Sequence, residues 1–240
     1  MRKPCLQAAF LSSHPLNGMG LQKGFFMDKL ARDKEEKLIA RSQQGDISAF
    51  NQLVLCHQQV VYNTVFRILG DYDTAADVTQ EAFISAFRAI HTYRGSSLFR
   101  TWLLRISTNL ACDHWRRVQR HPSESLEAIA NEEESHTSPL IEALAQTGPD
   151  SNPEENLLTQ ELQQLIQRGL QELSLDQRTV IVLCDIEGLS YEEIAQTTQT
   201  TLGTVRSRLS RARARLRLYL SQHKELLPRP YRPTSRTDTN

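Results

Sequence analysis

The chain is poor in the features that would make it an enzyme, a secreted scaffold or a membrane protein. Its 240 residues hold four cysteines, Cys5, Cys56, Cys112 and Cys184, far apart and with no C-x-x-C pair. That spacing excludes a disulfide framework and fits reduced thiols in a cytoplasm. Cys56-His57 and Cys112-x-His114 contain metal-ligating side chains, but no four-ligand set has zinc spacing, and no metal is expected. No apolar run approaches the length of a membrane span, so membrane insertion is not expected either. The ten glycines nowhere gather into a phosphate-cradling loop, and no serine or cysteine stands beside an activating base. Neither catalysis nor a cofactor is expected. Even the charge is unremarkable in total: 28 Lys+Arg balance 28 Asp+Glu, where a nucleic-acid binder is usually basic.

The balance hides a segregation. Arginines gather at 94–120 and 203–217, while 121–156 carries carboxylates and no Lys or Arg. Two basic surfaces separated by an acidic spacer are implied. The second cluster sits in SYEEIAQTTQTTLGTVRSRLSRARARLR (190–217). Ser190 and Glu193 have capping-box spacing, which starts a short helix that the polar run 197–200 ends. Thr201 is then the N-cap of a second helix. In that helix Leu202, Val205, Leu209, Ala212 and Leu216 recur at three- and four-residue spacing, one buried stripe. Arg206, Arg208, Arg211, Arg213, Arg215 and Arg217 occupy much of the remainder, with no acid before Glu225. A merely solvated face mixes Glu with Lys. Six arginines with no acid among them call for an anionic partner, and the pair reads as a helix-turn-helix with its second helix in a DNA major groove.

Upstream, residues 1–26 have mixed composition with Pro4, Pro15 and three glycines. Arg2-Lys3 ahead of a short apolar piece resembles a signal peptide only faintly, because Pro4 intervenes. The segment reads as a disordered extension, or as the product of an upstream start, before Met27. A polar helix is predicted from Asp28 to about Gly45, and an amphipathic one from Asp46 to Leu69 around Phe50, Leu53, Val54, Val61, Val65, Ile68 and Leu69. After a turn at 70–73, a helix over 74–90 buries Val78, Ala82, Phe83, Ala86, Phe87 and Ile90. Asp73, Asp77 and Glu81 share one face of it. Carboxylates at a helix N-terminus favour its macrodipole, which explains the first two. Glu81 suggests instead an acidic stripe offered to a basic partner.

Next comes SSLFRTWLLRISTNLACDHWRRVQR (96–120), capped by Ser96 or Ser97, with Trp102, Leu103, Ile106 and Leu110 as its core stripe. Arg100, Arg105, Arg116, Arg117 and Arg120 face Asp113 alone. Aromatics among arginines suit single-stranded nucleic acid, since bases stack on rings while cations hold the backbone. Phe99 and Trp102 serve equally well as core, whereas Trp115 beside Arg116-Arg117 is expected to be exposed. Residues 121–152 are too long for a loop within a compact domain and read as a linker. Leucine-rich helices follow from Pro153 and over 176–187, Gly188 stops the second, and residues 223–240 form a fraying tail. The fold class is all-α: two small helical domains joined by an acidic flexible linker, the C-terminal one with a helix-turn-helix.

Four blocks in order, GD-x-x-AF (45–50), DVTQEAFISAFRAI (77–90), YRGSSLFRTWLLRISTNLACDHWRR (93–117) and GLSYEEIAQ…LGTVRSRLSRAR (188–213), resemble an extracytoplasmic-function sigma factor. These are the smallest promoter-specificity subunits of bacterial RNA polymerase. The resemblance implies a region two over 27–120, which binds core RNA polymerase and captures the promoter minus-ten element as a single strand. It implies a region four over 153–222, which binds the minus-thirty-five element as duplex. Asp77, Gln80 and Glu81 become polymerase contacts. Asn109 matches an asparagine that helps hold a flipped minus-ten base, with Arg105, Trp115, Arg116 and Arg117 around it. Thr204, Arg206, Ser207, Arg208, Ser210 and Arg211 fall where the family reads the minus-thirty-five duplex. Core RNA polymerase, promoter DNA and an anti-sigma factor are the implied partners, in the cytoplasm. A stand-alone helix-turn-helix regulator is the alternative, and would need a dimer or an effector domain.

Overall fold

In the computed structural model, residues 21–120 and 153–223 are described, and every regular element among them is helical. Residues 1–20 of the expected extension, the acidic linker and the tail beyond residue 223 lie outside the described residues; 21–26, expected to be disordered, are the start of a helix.

The N-terminal cluster is α1 (Leu21–Gln43), α2 (Ile47–Leu69), α3 (Tyr72–Ala89) and α4 (Phe99–Arg120). The connections between the first three are dictated locally. Gly70, at φ 88°, adopts the left-handed conformation that ends α2 and donates its N–H to Phe66 O at 2.7 Å, a geometry that favours glycine. Asp46 and Asp71 then cap the next helices by accepting from Ala49 N (3.0 Å) and Thr74 N (2.7 Å). Asp71 brings the α3 start two residues ahead of the sequence expectation, and α1 likewise begins earlier, at Leu21. The small residues Ala75, Ala82 and Ala86 let α3 approach closely, and Leu53, Val61, Val65, Ile68, Phe99, Leu103 and Leu104 fill the space between helices. Burying each of the large side chains contributes about 1.5–3 kcal/mol. No serine caps α4: it starts at Phe99 after Leu98, and Ser97 offers its carbonyl to Tyr93 Oη instead (2.7 Å).

The C-terminal cluster is α5 (Pro153–Gln171), α6 (Leu175–Ile181), α7 (Tyr191–Thr197) and α8 (Leu202–Gln222). Sequence periodicity over 176–187 predicts one helix. The structure has α6 running into a π turn, Val182–Ile186, closed by Glu187 N donating to Val182 O (3.0 Å). The widened turn lets Leu183 and Asp185 both point inward. Gly169 of α5 is where α8 crosses most closely: a Cβ there would lie 2.7 Å from Leu216 Cδ1 and 2.9 Å from Tyr219 Cδ1.

The two clusters pack against each other. α7 lies on α4, and α5 and α6 lie on α2. Arg178, only 4 % exposed, donates to Leu170 O, Gln171 O and Leu173 O at the end of α5 and also to Ile68 O at the end of α2, at 2.6–3.1 Å. One guanidinium thus caps a helix C-terminus in each cluster, where cations are favoured.

Candidate nucleic-acid interface

Three surfaces carry the residues singled out from the sequence. The first is on α3. Its buried side is Ala75, Val78, Thr79, Ala82 and Ala86, which turns Asp73, Asp77, Gln80 and Glu81 to solvent. Among the described residues neither Asp77 nor Glu81 makes an ion pair. Ile84, 46 % exposed, and Arg88 extend the same face. A carboxylate stripe with an exposed apolar residue in it is chemically suited to a basic protein partner.

The second surface is a cavity of about 380 Å³ lined by Thr92, Tyr93, Arg94, Ser96, Trp102, Arg105, Ile106 and Asn109. Its rim is a loop pinned from three sides. Gln43 Nε2 at the end of α1 donates to Ile90 O (3.1 Å) and Tyr93 O (2.9 Å). Gly95, at φ 71°, turns the chain. Tyr93 packs edge-on to Phe99 at 5.4 Å and lies 5.5 Å from Trp102. Trp102 therefore does both things allowed it by the sequence: it is half-buried on the core and also walls the cavity. With the Tyr93 ring from the loop and Trp102, Arg105 and Asn109 from one face of α4, the cavity offers stacking and edge hydrogen bonds to one extruded base. Sequence reasoning found Asn109 and Arg105 but missed Thr92, Tyr93, Arg94, Ser96 and Ile106. The Tyr93-Arg-Gly95 turn was the only signal for them.

Farther along α4, Arg116 and Arg117 are exposed. Trp115 is not: it is half-buried and packs on the core, against expectation. Its position on α4 turns the ring toward the core beside Ala111 and Cys112, which are buried one turn earlier.

The third surface is the α7–α8 pair. The capping box is present, with Glu193 N donating to Ser190 Oγ (3.1 Å) and Ser190 N to Glu193 Oε2 (2.8 Å). Thr201 caps α8 by accepting from Thr204 N (3.2 Å). Val205, Leu209, Ala212 and Leu216 are buried, and Arg206, Ser207, Ser210 and Arg211 are exposed. The six arginines are not equivalent, because the acids missing from their own helix arrive from elsewhere. Arg208 pairs with Asp176. Arg213 grips Asp185, itself only 5 % exposed, with two bonds of 2.9 and 2.5 Å. Those bonds raise the guanidinium pKa further above its ordinary value. Arg215 lies 3.9 Å from Glu172. Arg206, Arg211 and Arg217 have no carboxylate partner among the described residues. Arg206, Ser210, Arg213 and Arg217 line a second cavity, of about 290 Å³, together with Tyr191, on the α7 side. Arg208 and Arg215 lie on the opposite flank, as residues two apart on a helix must.

This arrangement, an exposed arginine-rich second helix behind a capped first one, meets a matching result from known proteins. A family model described as sigma-70 region 2 matches residues 53–121, and one described as sigma-70, region 4 matches 163–216. The ECF RNA polymerase sigma-E factor of Escherichia coli K12 is 42 % identical over 180 residues, 75 % of this chain and 90 % of that protein. The chain belongs to the extracytoplasmic-function sigma factors. The RNA polymerase sigma-H factor of Pseudomonas aeruginosa is 39 % identical over 188 residues, 77 % of this chain and 92 % of its own. Among solved structures, that of CnrH in complex with the cytosolic domain of CnrY aligns with a TM-score of 0.51 at 26 % identity, covering 79 % of this chain and 98 % of that one. The sigma factor RpoE of Bartonella quintana, solved with the anti-sigma factor NepR, has the same fold, with a TM-score of 0.52 at 24 % identity over 72 % and 98 % of the two chains. Sigma factors are promoter-specificity subunits and not enzymes. The helix-turn-helix of this sigma factor falls within the match to region 4, and its base-sized cavity within the match to region 2.

Proposed function

We propose that this sigma factor attaches to core RNA polymerase through α3 and reads its promoters at two places. Asp77, Gln80 and Glu81 meet a basic surface of the polymerase. The cavity beside Asn109 takes a base extruded from the minus-ten strand, with Arg105 at its edge and Arg116 and Arg117 holding phosphates. Trp115 supports this helix from behind rather than stacking on a base. In the C-terminal unit, 153–222, α8 enters the major groove of the minus-thirty-five duplex with Thr204, Arg206, Ser207, Ser210 and Arg211 toward DNA and Arg208 at the groove edge. An anti-sigma factor is the expected inhibitor. The single observation that carries the reading is the cavity itself: a pinned aromatic loop opposite Asn109, within the match to region 2. Extruding a base costs a few kcal/mol of stacking, and a preformed pocket offsets that cost.

Run-off transcription with purified core RNA polymerase and a pool of genomic upstream fragments tests it. Discrete transcripts that need this chain are expected. Binding of the chain as a dimer to a palindrome, without polymerase, would instead favour a stand-alone regulator.

A further inference from the structure

The base-sized cavity has one wall that no secondary structure stiffens. Residues 93–98 belong to no regular element. A wall that had to order itself around each base would lose affinity by the fraction of time it spends out of place. Its inner side is well supported. The Tyr93 ring stands edge-on to Phe99, which is 2 % exposed, and His57 of α2 lies behind Phe99 at 5.5 Å. Glu35 of α1 fixes His57 in turn, at 2.7 Å. Tyr93 Oη donates to Ser97 O (2.7 Å), which closes the loop on itself.

The main chain of the loop is held differently, by one exposed side chain. Gln43 Nε2 directs one N–H to Ile90 O (3.1 Å) and the other to Tyr93 O (2.9 Å). Both partners are carbonyls, so only the amide nitrogen can face them, and chemistry decides which way the carboxamide points. The two bonds span the 3-10 turn Ile90–Thr92 that follows α3. Ile90 is a core residue, 4 % exposed, and Tyr93 is the first residue of the loop. Gln43 thus ties the start of the loop to the core. Its own seat is firm: Asp46 accepts two bonds from Arg41 (2.9 and 2.5 Å) while capping α2, and Gly45 turns the chain between them at φ 91°. Gln43 itself stands outside the cavity.

Building on the base-capture role given to this cavity above, we infer that Gln43 is a positioning residue for minus-ten recognition. It holds the Tyr93 wall in the form that accepts a single extruded nucleobase, and it does so without touching that base. The wall is ordered when the chain folds, so base capture does not have to order it. Each of the two bonds biases the loop toward its seated form by roughly two- to ten-fold.

The test pairs the side chain with the base. Holoenzyme is titrated with a promoter recovered from the run-off pool, prepared as a fork whose minus-ten strand is single. Each minus-ten position is made abasic in turn. In wild type, one position should stand out by its loss of affinity. Gln43→Met keeps the length of the side chain and removes the donor. It should weaken the intact fork by about ten-fold and leave the fork abasic at that position unchanged. Gln43→Glu turns lone pairs toward the two carbonyls and should lose at least as much; any repulsion of phosphate by its charge acts on both forks and cancels in the comparison. Core binding and melting temperature should stay near wild type, because the side chain is exposed. Equal weakening of intact and abasic forks by Gln43→Met overturns the positioning role while the cavity keeps its base. A fall in core binding or melting temperature in step with fork affinity makes Gln43 a folding residue and overturns it too. If no abasic position weakens wild-type binding, the cavity takes no base, and the reading on which this rests falls with it.

Discussion

The uneven pairing of the α8 arginines makes Arg206, Arg211 and Arg213 separable by experiment. Arg206 and Arg211 are exposed with no acid partner, so replacing either with alanine removes a cation without orphaning a charge. If the lost arginine held a phosphate, the slope of log affinity against log salt falls by about 0.9. If it forked onto a guanine, preference at one base pair relaxes by about 1–3 kcal/mol and the slope changes little. Arg206, on the side of α8 facing the second cavity, and Arg211, on the open face, point in different directions. One of them is therefore expected to read sequence. Arg213→Ala is different in kind. It leaves Asp185, 5 % exposed, without its two-bonded partner, and breaking a buried pair from one side costs about 3–5 kcal/mol. Any loss of DNA binding in that variant should come with a lower melting temperature and be largely recovered in the Arg213→Met, Asp185→Leu double variant. The assay is holoenzyme binding to a promoter fragment and its point variants at several salt concentrations, beside a thermal melt of each free chain. The assignment is refuted if Arg213→Ala weakens binding at unchanged melting temperature while Arg206→Ala and Arg211→Ala alter neither slope nor preference.

Asn109→Ala should reduce promoter opening, read by permanganate reactivity of unpaired thymines, more than it reduces binding to core polymerase; equal losses would make Asn109 a folding residue. Reversing the charge of both Asp77 and Glu81 should weaken core binding by roughly ten-fold or more while leaving the melting temperature near wild type, because both are exposed and unpaired among the described residues. A lower melting temperature with intact core affinity would mean that they serve only their own helix. Burial against the N-terminal cluster pushes the Glu187 carboxyl above its ordinary value of 4.5, an effect only partly opposed by Arg100, Thr64 and Arg67. The folded chain therefore holds that proton more tightly than the unfolded one. The resulting stability is complete below the ordinary value and is lost as pH rises through the raised one. Melting temperature should accordingly fall with rising pH across that window, and Glu187→Gln should flatten the dependence; an unchanged profile in the variant would rule Glu187 out as its source.

What could be read from the sequence was what neighbouring residues decide. The Ser190–Glu193 box, the Thr201 cap and the turn after Leu69 each depend on a few consecutive residues, and each appears in the structure as expected. The α8 stripe appears from Val205 to Leu216, but Leu202, in the first turn, is exposed. The partners of the arginines did not have that locality. Asp176 lies 32 residues from Arg208 and Asp185 28 from Arg213, so α8 alone gave an impression of six unopposed charges. Trp115 failed for a related reason: its arginine neighbours suggested solvent, but helix phase put the ring over the core. The π turn was invisible because one added residue in a helical turn leaves an apolar run looking periodic. The cavity escaped because its wall combines α4 with a loop held in place by Gln43, some fifty positions away.

Arg178 has a consequence for how readily the two units can part and rejoin. Three of its four carbonyl partners belong to its own unit and only Ile68 O to the other. On separation the guanidinium keeps its seat at the end of α5, and the Ile68 carbonyl turns to water. The exchange forfeits one hydrogen bond, a net cost of about 0.5–1.5 kcal/mol, and strands no unsolvated charge. A buried carboxylate in the place of those carbonyls would have made the junction much harder to break. Were the units to part, the same side chain would remain an internal strut of the C-terminal unit, held by its three carbonyls at the end of α5.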